Sequence, residues 1–297
     1  MSSNNCYVPK VQRRSSSHRI RGVDYHISEW GETGDPMLVL LHGWGDAGGS
    51  FQFIVDALAS AWHVVAPDWR GFGESYCRTE AYWFPDYVAD LDALLNIYSP
   101  QGPARLVGHS MGANVAGLYA GIMPERVSHF VNVEGFGLAD SDPANAPAHY
   151  RRWIEAGRRI RGYIKYRSFE ELVPRILKRS PRMSEDRARF VARLWGAESE
   201  TGVELRADPA HKLPNAVQYR RAEAVACRER IEARVLLVTG EESEFFTAAK
   251  AWLDADQGEV LYAGAETRVI PGAGHMVHFE QPERLAALIE AFLLPDL

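Results

Sequence analysis

Apolar residues along the chain follow two alternating patterns. Short unbroken runs recur: MLVLLHG (37–43), HVVAPD (63–68), ARLVGH (104–109), VSHFVNVEG (127–135), RVLLVTG (234–240) and ETRVIPG (266–272). Their length and continuity suit strands buried on both faces. Between them lie longer segments with helical spacing, near 50–60, over 83–97, over 110–123 up to Pro124, near 246–255 and at 282–294. In the 83–97 segment Val88, Leu91, Leu94 and Leu95 share one face. Ahead of the first buried run, HRIRG and VDYHISEWG read as two paired strands. This alternation predicts the α/β class, a doubly wound and mostly parallel sheet.

The alternation stops between about 138 and 230, where the pattern is helical with little strand character. From 151 to 193 there are 14 Lys and Arg against 5 Asp and Glu, in a chain whose net charge is −6. Aromatic residues are interleaved there: Tyr150, Trp153, Tyr163, Tyr166, Phe169, Phe190 and Trp195. The expected organisation is a core formed by 18–137 and 231–297, a helical cap or lid inserted at 138–230, and a flexible extension at 1–17. The basic, aromatic insertion reads as solvated helices packed on the core, or as a lid whose arginines favour an anionic substrate.

Composition narrows the function. An acidic balance argues against a general nucleic-acid binder. Cys6, Cys77 and Cys227 are odd in number, widely spaced and without a C-x-x-C. They form neither a disulfide framework nor a cysteine zinc site, and they fit a reducing cytoplasm. No apolar region follows Arg13-Arg14, and no run approaches the roughly 18 residues of a membrane span. A cytoplasmic protein without a membrane partner is expected.

One pentapeptide carries chemistry. Gly108-His109-Ser110-Met111-Gly112 is a G-x-S-x-G placed where an apolar strand ends and a helix begins. A serine on such a turn is held exposed on strained backbone, and flanking glycines avoid Cβ clashes. Gly117, Ala120 and Gly121 then allow the helix to lie close to the sheet.

With this elbow the chain resembles the α/β-hydrolase fold superfamily, from about Gly22 to the C-terminus, with 138–230 in the place of the variable cap. Three further stretches support the resemblance: His42-Gly43-Trp44 after the third strand, Asp68-Trp69-Arg70-Gly71-Phe72-Gly73-Glu74-Ser75, which is similar to the family's D-x-R-G-x-G-x-S turn, and Gly272-Ala273-Gly274-His275. The AYWFPDYVADLDALL helix and the elbow helix are most similar to general serine hydrolases or esterases.

The resemblance implies roles. Ser110 is the nucleophile and His275 the base, with His278 as the nearest rival. His109 points away from the serine it adjoins, and His42 is a structural turn histidine. The backbone N–H groups of Trp44 and Met111 form the oxyanion hole. In chain order the acid follows the 234–240 strand, in TGEESEFF (239–246). Many relatives read G-x-x-D there, where this chain has Ser243; a subset reads G-x-x-S-D, which makes Glu244 the first choice and Glu242 the second. Glu134, at the end of the preceding strand, is the alternative, because some relatives carry their acid there and a buried carboxylate needs a partner. The expected function is an acyl-enzyme serine hydrolase acting on a small ester-like molecule, with no metal and no organic cofactor. C–C bond hydrolysis, lyase or perhydrolase chemistry with the same triad is the alternative, and a non-catalytic receptor a more distant one. Oligomeric state is left open.

Overall fold

The computed structural model describes residues 6–253 and 261–294. Eight strands form one sheet: β1 (Arg14–Ile20), β2 (Val23–Trp30), β3 (Met37–Leu41), β4 (His63–Pro67), β5 (Ala104–His109), β6 (Val127–Val133), β9 (Arg234–Gly240) and β10 (Glu266–Ile270). Two short strands, β7 (Gly196–Ser199) and β8 (Gly202–Leu205), pair separately. The sheet order is β1-β2-β4-β3-β5-β6-β9-β10. β2 pairs antiparallel with both β1 and β4, and every pair from β4 to β10 is parallel.

The helices are α1 (Gln52–Val55), α2 (Phe84–Tyr98), α3 (Met111–Ile122), α4 (Ala146–Gly157), α5 (Val173–Arg179), α6 (Glu185–Trp195), α7 (Arg221–Arg228), α8 (Glu244–Leu253), α9 (Val277–Glu280) and α10 (Pro282–Leu293). Helices α2 and α3 cover one face of the sheet and α1 and α10 the other, which is why its central strands are apolar on both sides. Val39 and Leu41 of β3 pack with Leu91, Leu94 and Leu95 of α2 and with Val115 and Ala116 of α3. Leu38 and Leu40 face the other way, toward Ile54 and Val55 of α1 and Leu285, Ile289 and Phe292 of α10. Because consecutive strand residues point to opposite faces, one short run serves both cores.

The chain order reverses direction across the sheet between β3 and β5, and the crevice beyond the carboxyl ends of the strands at such a point is where ligands bind. The register brings those ends level: Leu41 pairs with Gly108, His109 with Val133, Val133 with Val238, and Gly240 with Ile270. The loops after β3, β5, β6, β9 and β10 therefore emerge side by side.

Three expectations are corrected. Of the extension expected at 1–17, residues 1–5 lie outside the described residues, and 6–17 are anchored to the core at Tyr7, Lys10 and Val11 and paired from Arg14. The Tyr7 hydroxyl donates to Asp56 Oδ2 at 2.8 Å, the Val11 N–H donates to Asp56 Oδ1 at 2.8 Å, and β1 already begins at Arg14. A buried carboxylate at the end of α1 needs donors, and this stretch supplies them. The 138–230 segment also holds the β7–β8 hairpin, a strand signal too short to stand out among helices. It docks through its own apolar cluster, in which Tyr166, Leu172, Ile176, Val191 and Val203 meet Phe53, Met276 and Phe279. Finally, the small residues of α3 serve two neighbours. A Cβ on Gly117 would stand 3.3 Å from the Phe130 ring of β6, but one on Gly121 would stand 1.8 Å from the Cys227 carbonyl oxygen of α7. The α8 helix starts at Glu244, and positions 254–255 of the expected helix lie outside the described residues. Among the described residues no helix is long and apolar enough to cross a membrane.

Candidate active site

Ser110 sits between β5 and α3 with φ +51° and ψ −113°, a left-handed-side conformation that a serine holds only when its surroundings impose it. The surroundings do so. The Ser110 N–H donates to the Val133 carbonyl at 2.8 Å. A Cβ on Gly108 would lie 2.4 Å from the Ala113 Cα, and one on Gly112 would lie 2.2 Å from the Leu41 carbonyl oxygen. Both flanking glycines are therefore required by close backbone approach.

A continuous hydrogen-bonded chain runs from this serine. Ser110 Oγ lies 3.1 Å from His275 Nε2, and His275 Nδ1 lies 3.0 Å from Glu134 Oε2. Glu134 follows β6 with φ +61°, and its side chain is fully buried. Its carboxylate accepts two further bonds, from the Gly240 N–H at 2.7 Å and from the Ser243 hydroxyl at 2.5 Å. With three donors around it, the charge is held without water.

The first-choice acid, Glu244, is corrected by this geometry. Glu244 is exposed at the first turn of α8 and has no hydrogen bond or ion pair to His275. A carboxylate there is favoured by the helix N-terminus rather than by the histidine. Glu242 pairs with Arg182. Glu241 accepts from the Gly272 N–H at 3.2 Å. The acidic loop nonetheless builds the site with its other residues. Ser243 Oγ accepts the Phe246 N–H at 3.1 Å, capping α8, so its proton is directed at Glu134. Phe245 stacks on the His275 ring at 4.0 Å. Neither role was read from the sequence. The only signal for Ser243 was that it stood where relatives place an acid.

Trp44 and Met111 both line a cavity of about 110 Å³, and neither backbone N–H donates to a protein acceptor among the described residues. Two unpaired amides beside a serine at a helix N-terminus suit a developing oxyanion. The loop carrying Trp44 is braced by the 68–75 turn. Asp68 accepts from the N–H groups of Gly48 at 2.6 Å and Glu74 at 2.8 Å, and pairs with His26 at 3.0 Å. Arg70 forks onto the buried Asp90 at 2.5 and 2.6 Å.

The rival histidines are occupied elsewhere. His278 Nε2 pairs with the buried Asp46 at 3.1 Å, and Asp46 also accepts from Trp195 at 2.7 Å. Burial raises the Asp46 pKa, but the bond and charge of His278 outweigh it and hold the carboxyl below its ordinary value. His109 Nε2 donates to the His275 carbonyl at 2.9 Å. His42 Nε2 accepts the Trp69 N–H at 2.8 Å, so its Nδ1 donates to the Gly43 carbonyl at 2.7 Å.

Burial lowers the pKa of His42, lowers that of His109 well below its ordinary value, and lowers that of His211 to about 4. These histidines are neutral in the fold and bind protons on unfolding. Their contribution to stability is complete above the unfolded pKa of about 6.5 and is lost as pH falls toward the folded values. The thermal midpoint is expected to fall on acidification from about pH 7 to 5, and His211→Phe to reduce that slope by one proton. A midpoint independent of pH over that window would contradict this assignment.

The chain belongs to the α/β hydrolase fold family, whose model matches residues 36–282. Among curated relatives it is similar to the serine hydrolase-like protein of Danio rerio, with 25% identity over 284 residues that cover 90% of this chain and 84% of the relative. Among solved structures it is similar in fold to the thioesterase domain from the curacin biosynthetic pathway, with TM-score 0.82, 22% identity, and coverage of 94% of this chain and 99% of that one. An esterase from Mycobacterium tuberculosis has TM-score 0.69, 20% identity, and coverage of 97% and 92%. The family and these relatives support a hydrolase.

Proposed function

We propose that this protein is a serine hydrolase that cleaves a carboxylic ester, or a related acyl bond, of a small molecule through an acyl-enzyme on Ser110. The observation that carries the reading is the unbroken chain from Ser110 through His275 to Glu134, set on the strained turn. In this mechanism His275 Nε2 takes the Ser110 proton as Oγ attacks the substrate carbonyl carbon. The N–H groups of Trp44 and Met111 hold the oxyanion of the tetrahedral intermediate. The intermediate collapses as His275 gives its proton to the departing alcohol. A water, deprotonated by the same nitrogen, then attacks the acyl carbonyl, and the acid and Ser110 are released. Glu134 fixes the tautomer with the proton on Nδ1 and stabilises the imidazolium in both halves. The 138–230 segment acts as a lid over this centre, tied to it through Trp195 and Asp46.

The test is turnover of p-nitrophenyl esters from acetate to dodecanoate by the purified protein, together with peptide mass analysis after exposure to an organophosphonate. Hydrolysis with the label on the Ser110 peptide is expected, and the chain-length profile sizes the pocket. Labelling of Ser110 with no hydrolysed ester would turn the reading to C–C bond cleavage or lyase chemistry. An unlabelled Ser110 and no turnover would overturn it.

A further inference from the structure

The exposed Trp44 lines two cavities, one of about 110 Å³ that includes Met111 and one of about 170 Å³ that does not. The larger one lies between the loop after β3 and the residues of α5, α6 and β8, and it is basic. Arg175, Arg179 and Arg206 all line it. Arg206 is paired with Glu74 at 3.2 Å. The other two have no carboxylate within ion-pair distance among the described residues. Arg175 lies over the Tyr166 ring at 5.2 Å, and Arg179 over the Trp195 ring at 5.3 Å.

The nearby carboxylates act on them only at a distance, Glu171 on Arg175 and Asp46 on Arg179, and each is bonded directly to another partner. Glu171 is bound by Arg167, Glu242 and Glu280 by Arg182, and Asp46 by His278. Arg179 also lies beside the loops that carry His275 and Trp44. Its Nη2 approaches Met276 Sδ at 4.0 Å, next to His275, and a Cβ on Gly45, next to Trp44, would stand 3.8 Å from Nη1. It keeps solvent access yet is crowded enough that desolvation lowers its pKa. A further orphan lines the same cavity: the Tyr163 hydroxyl is buried without a hydrogen-bond partner. The one carboxylate lining the cavity, Asp46, already accepts from Trp195 and Ser50 and pairs with His278, whereas the two guanidiniums and the Tyr163 hydroxyl keep free donors, the complement of an oxyanion.

Resting on the acyl-transfer reading above, we infer that the larger cavity is an anion subsite and that the substrate is an ester or thioester bearing a second carboxylate, which Arg179 binds with Arg175 and the Tyr163 hydroxyl. Catalysis itself is unchanged; the subsite sets which acyl groups are positioned at Ser110. The stacking on Trp195 and Tyr166 holds the guanidiniums in place without consuming their charge.

The experiment compares kcat/KM for p-nitrophenyl hemisuccinate, hemiglutarate and hemiadipate with that for the uncharged butanoate, pentanoate and hexanoate esters. The wild-type ratio of carboxylated to uncharged ester is expected to exceed about tenfold for at least one chain length, as a charge-assisted contact gives. Arg179→Gln is expected to bring the ratio toward one, and Arg179→Lys to retain part of it. A packing role alone would lower both substrates together and leave the ratio intact. A protein that turns over uncharged esters but shows a ratio near one overturns the subsite and leaves the serine mechanism standing. If no ester of either kind is turned over, calorimetric titration of the Ser110→Ala protein with monomethyl glutarate and with methyl pentanoate decides. Binding of the first alone, weakened about tenfold or more by adding Arg179→Gln, supports the subsite, and equal binding of both overturns it.

Discussion

The Ser110→Ala protein is expected to fold normally and to lose about five to six orders of magnitude in kcat on any ester the wild type turns over. The change removes one oxygen, which lies 3.1 Å from His275 Nε2. Alanine enters a backbone conformation that the flanking glycines and the Val133 carbonyl impose, so the elbow remains in place. The substitution leaves both cavities and the amides of Trp44 and Met111 untouched. The loss therefore falls on kcat rather than KM, with a residual rate of about 10³ to 10⁴ over water. His275→Ala is expected to cost a similar factor, and the double variant little more, because the two side chains act as one unit. Steady-state kinetics on the three proteins, with thermal melts to show that each is folded, checks the set. Near-normal turnover by Ser110→Ala would remove the serine from the mechanism.

The legible parts of this site are those in which local backbone demands a residue type. The elbow is one: Gly108, Ser110 and Gly112 follow from clashes that a Cβ would meet within a few residues of chain or on the adjacent strand. The buried strands are another, because a run apolar on both faces has few other readings. Which carboxylate pairs with His275 was legible only as an alternative, because that pairing is a long-range property. Glu134 lies 141 positions from His275 in sequence, and what brings them together is the register of β6 on β9 and the close packing of the loops that follow. From the sequence, the chain order of the fold and a G-x-x-S-D pattern favoured Glu244 after β9 and left Glu134 after β6 as the alternative. In the structure all three face solvent or Arg182, and the cluster contributes its uncharged members, Ser243 and Phe245. The hairpin within 138–230 and the packing of 6–17 were hidden for the same reason, since each depends on what it docks against.

Glu134→Gln is expected to lower kcat by about 10³ to 10⁴, while Glu244→Gln stays within about twofold of wild type. The carboxylate at 134 accepts from three donors, namely Gly240 N–H, the Ser243 hydroxyl and His275 Nδ1. An amide offers one acceptor oxygen and places an NH₂ against a donor, so His275 loses both its tautomer and the charge that stabilises its protonated form. The structure also permits a repair. Ser243 Oγ lies 2.5 Å from the very oxygen that His275 contacts, and aspartate is as good a helix cap as serine for the Phe246 N–H. Glu134→Gly suits the φ of +61° at that position and empties the space the glutamate filled. Adding Ser243→Asp to Glu134→Gly is therefore expected to recover about tenfold or more of the kcat that Glu134→Gly alone loses, because it supplies an acceptor to His275 from the neighbouring loop. The gain should be absent when Ser243→Asp is made in the wild type, where two carboxylates would crowd one histidine and activity should fall. If instead Glu134→Gln remains active and Glu244→Gln is dead, the acid comes from α8, and the pairing of His275 with Glu134 is structural only.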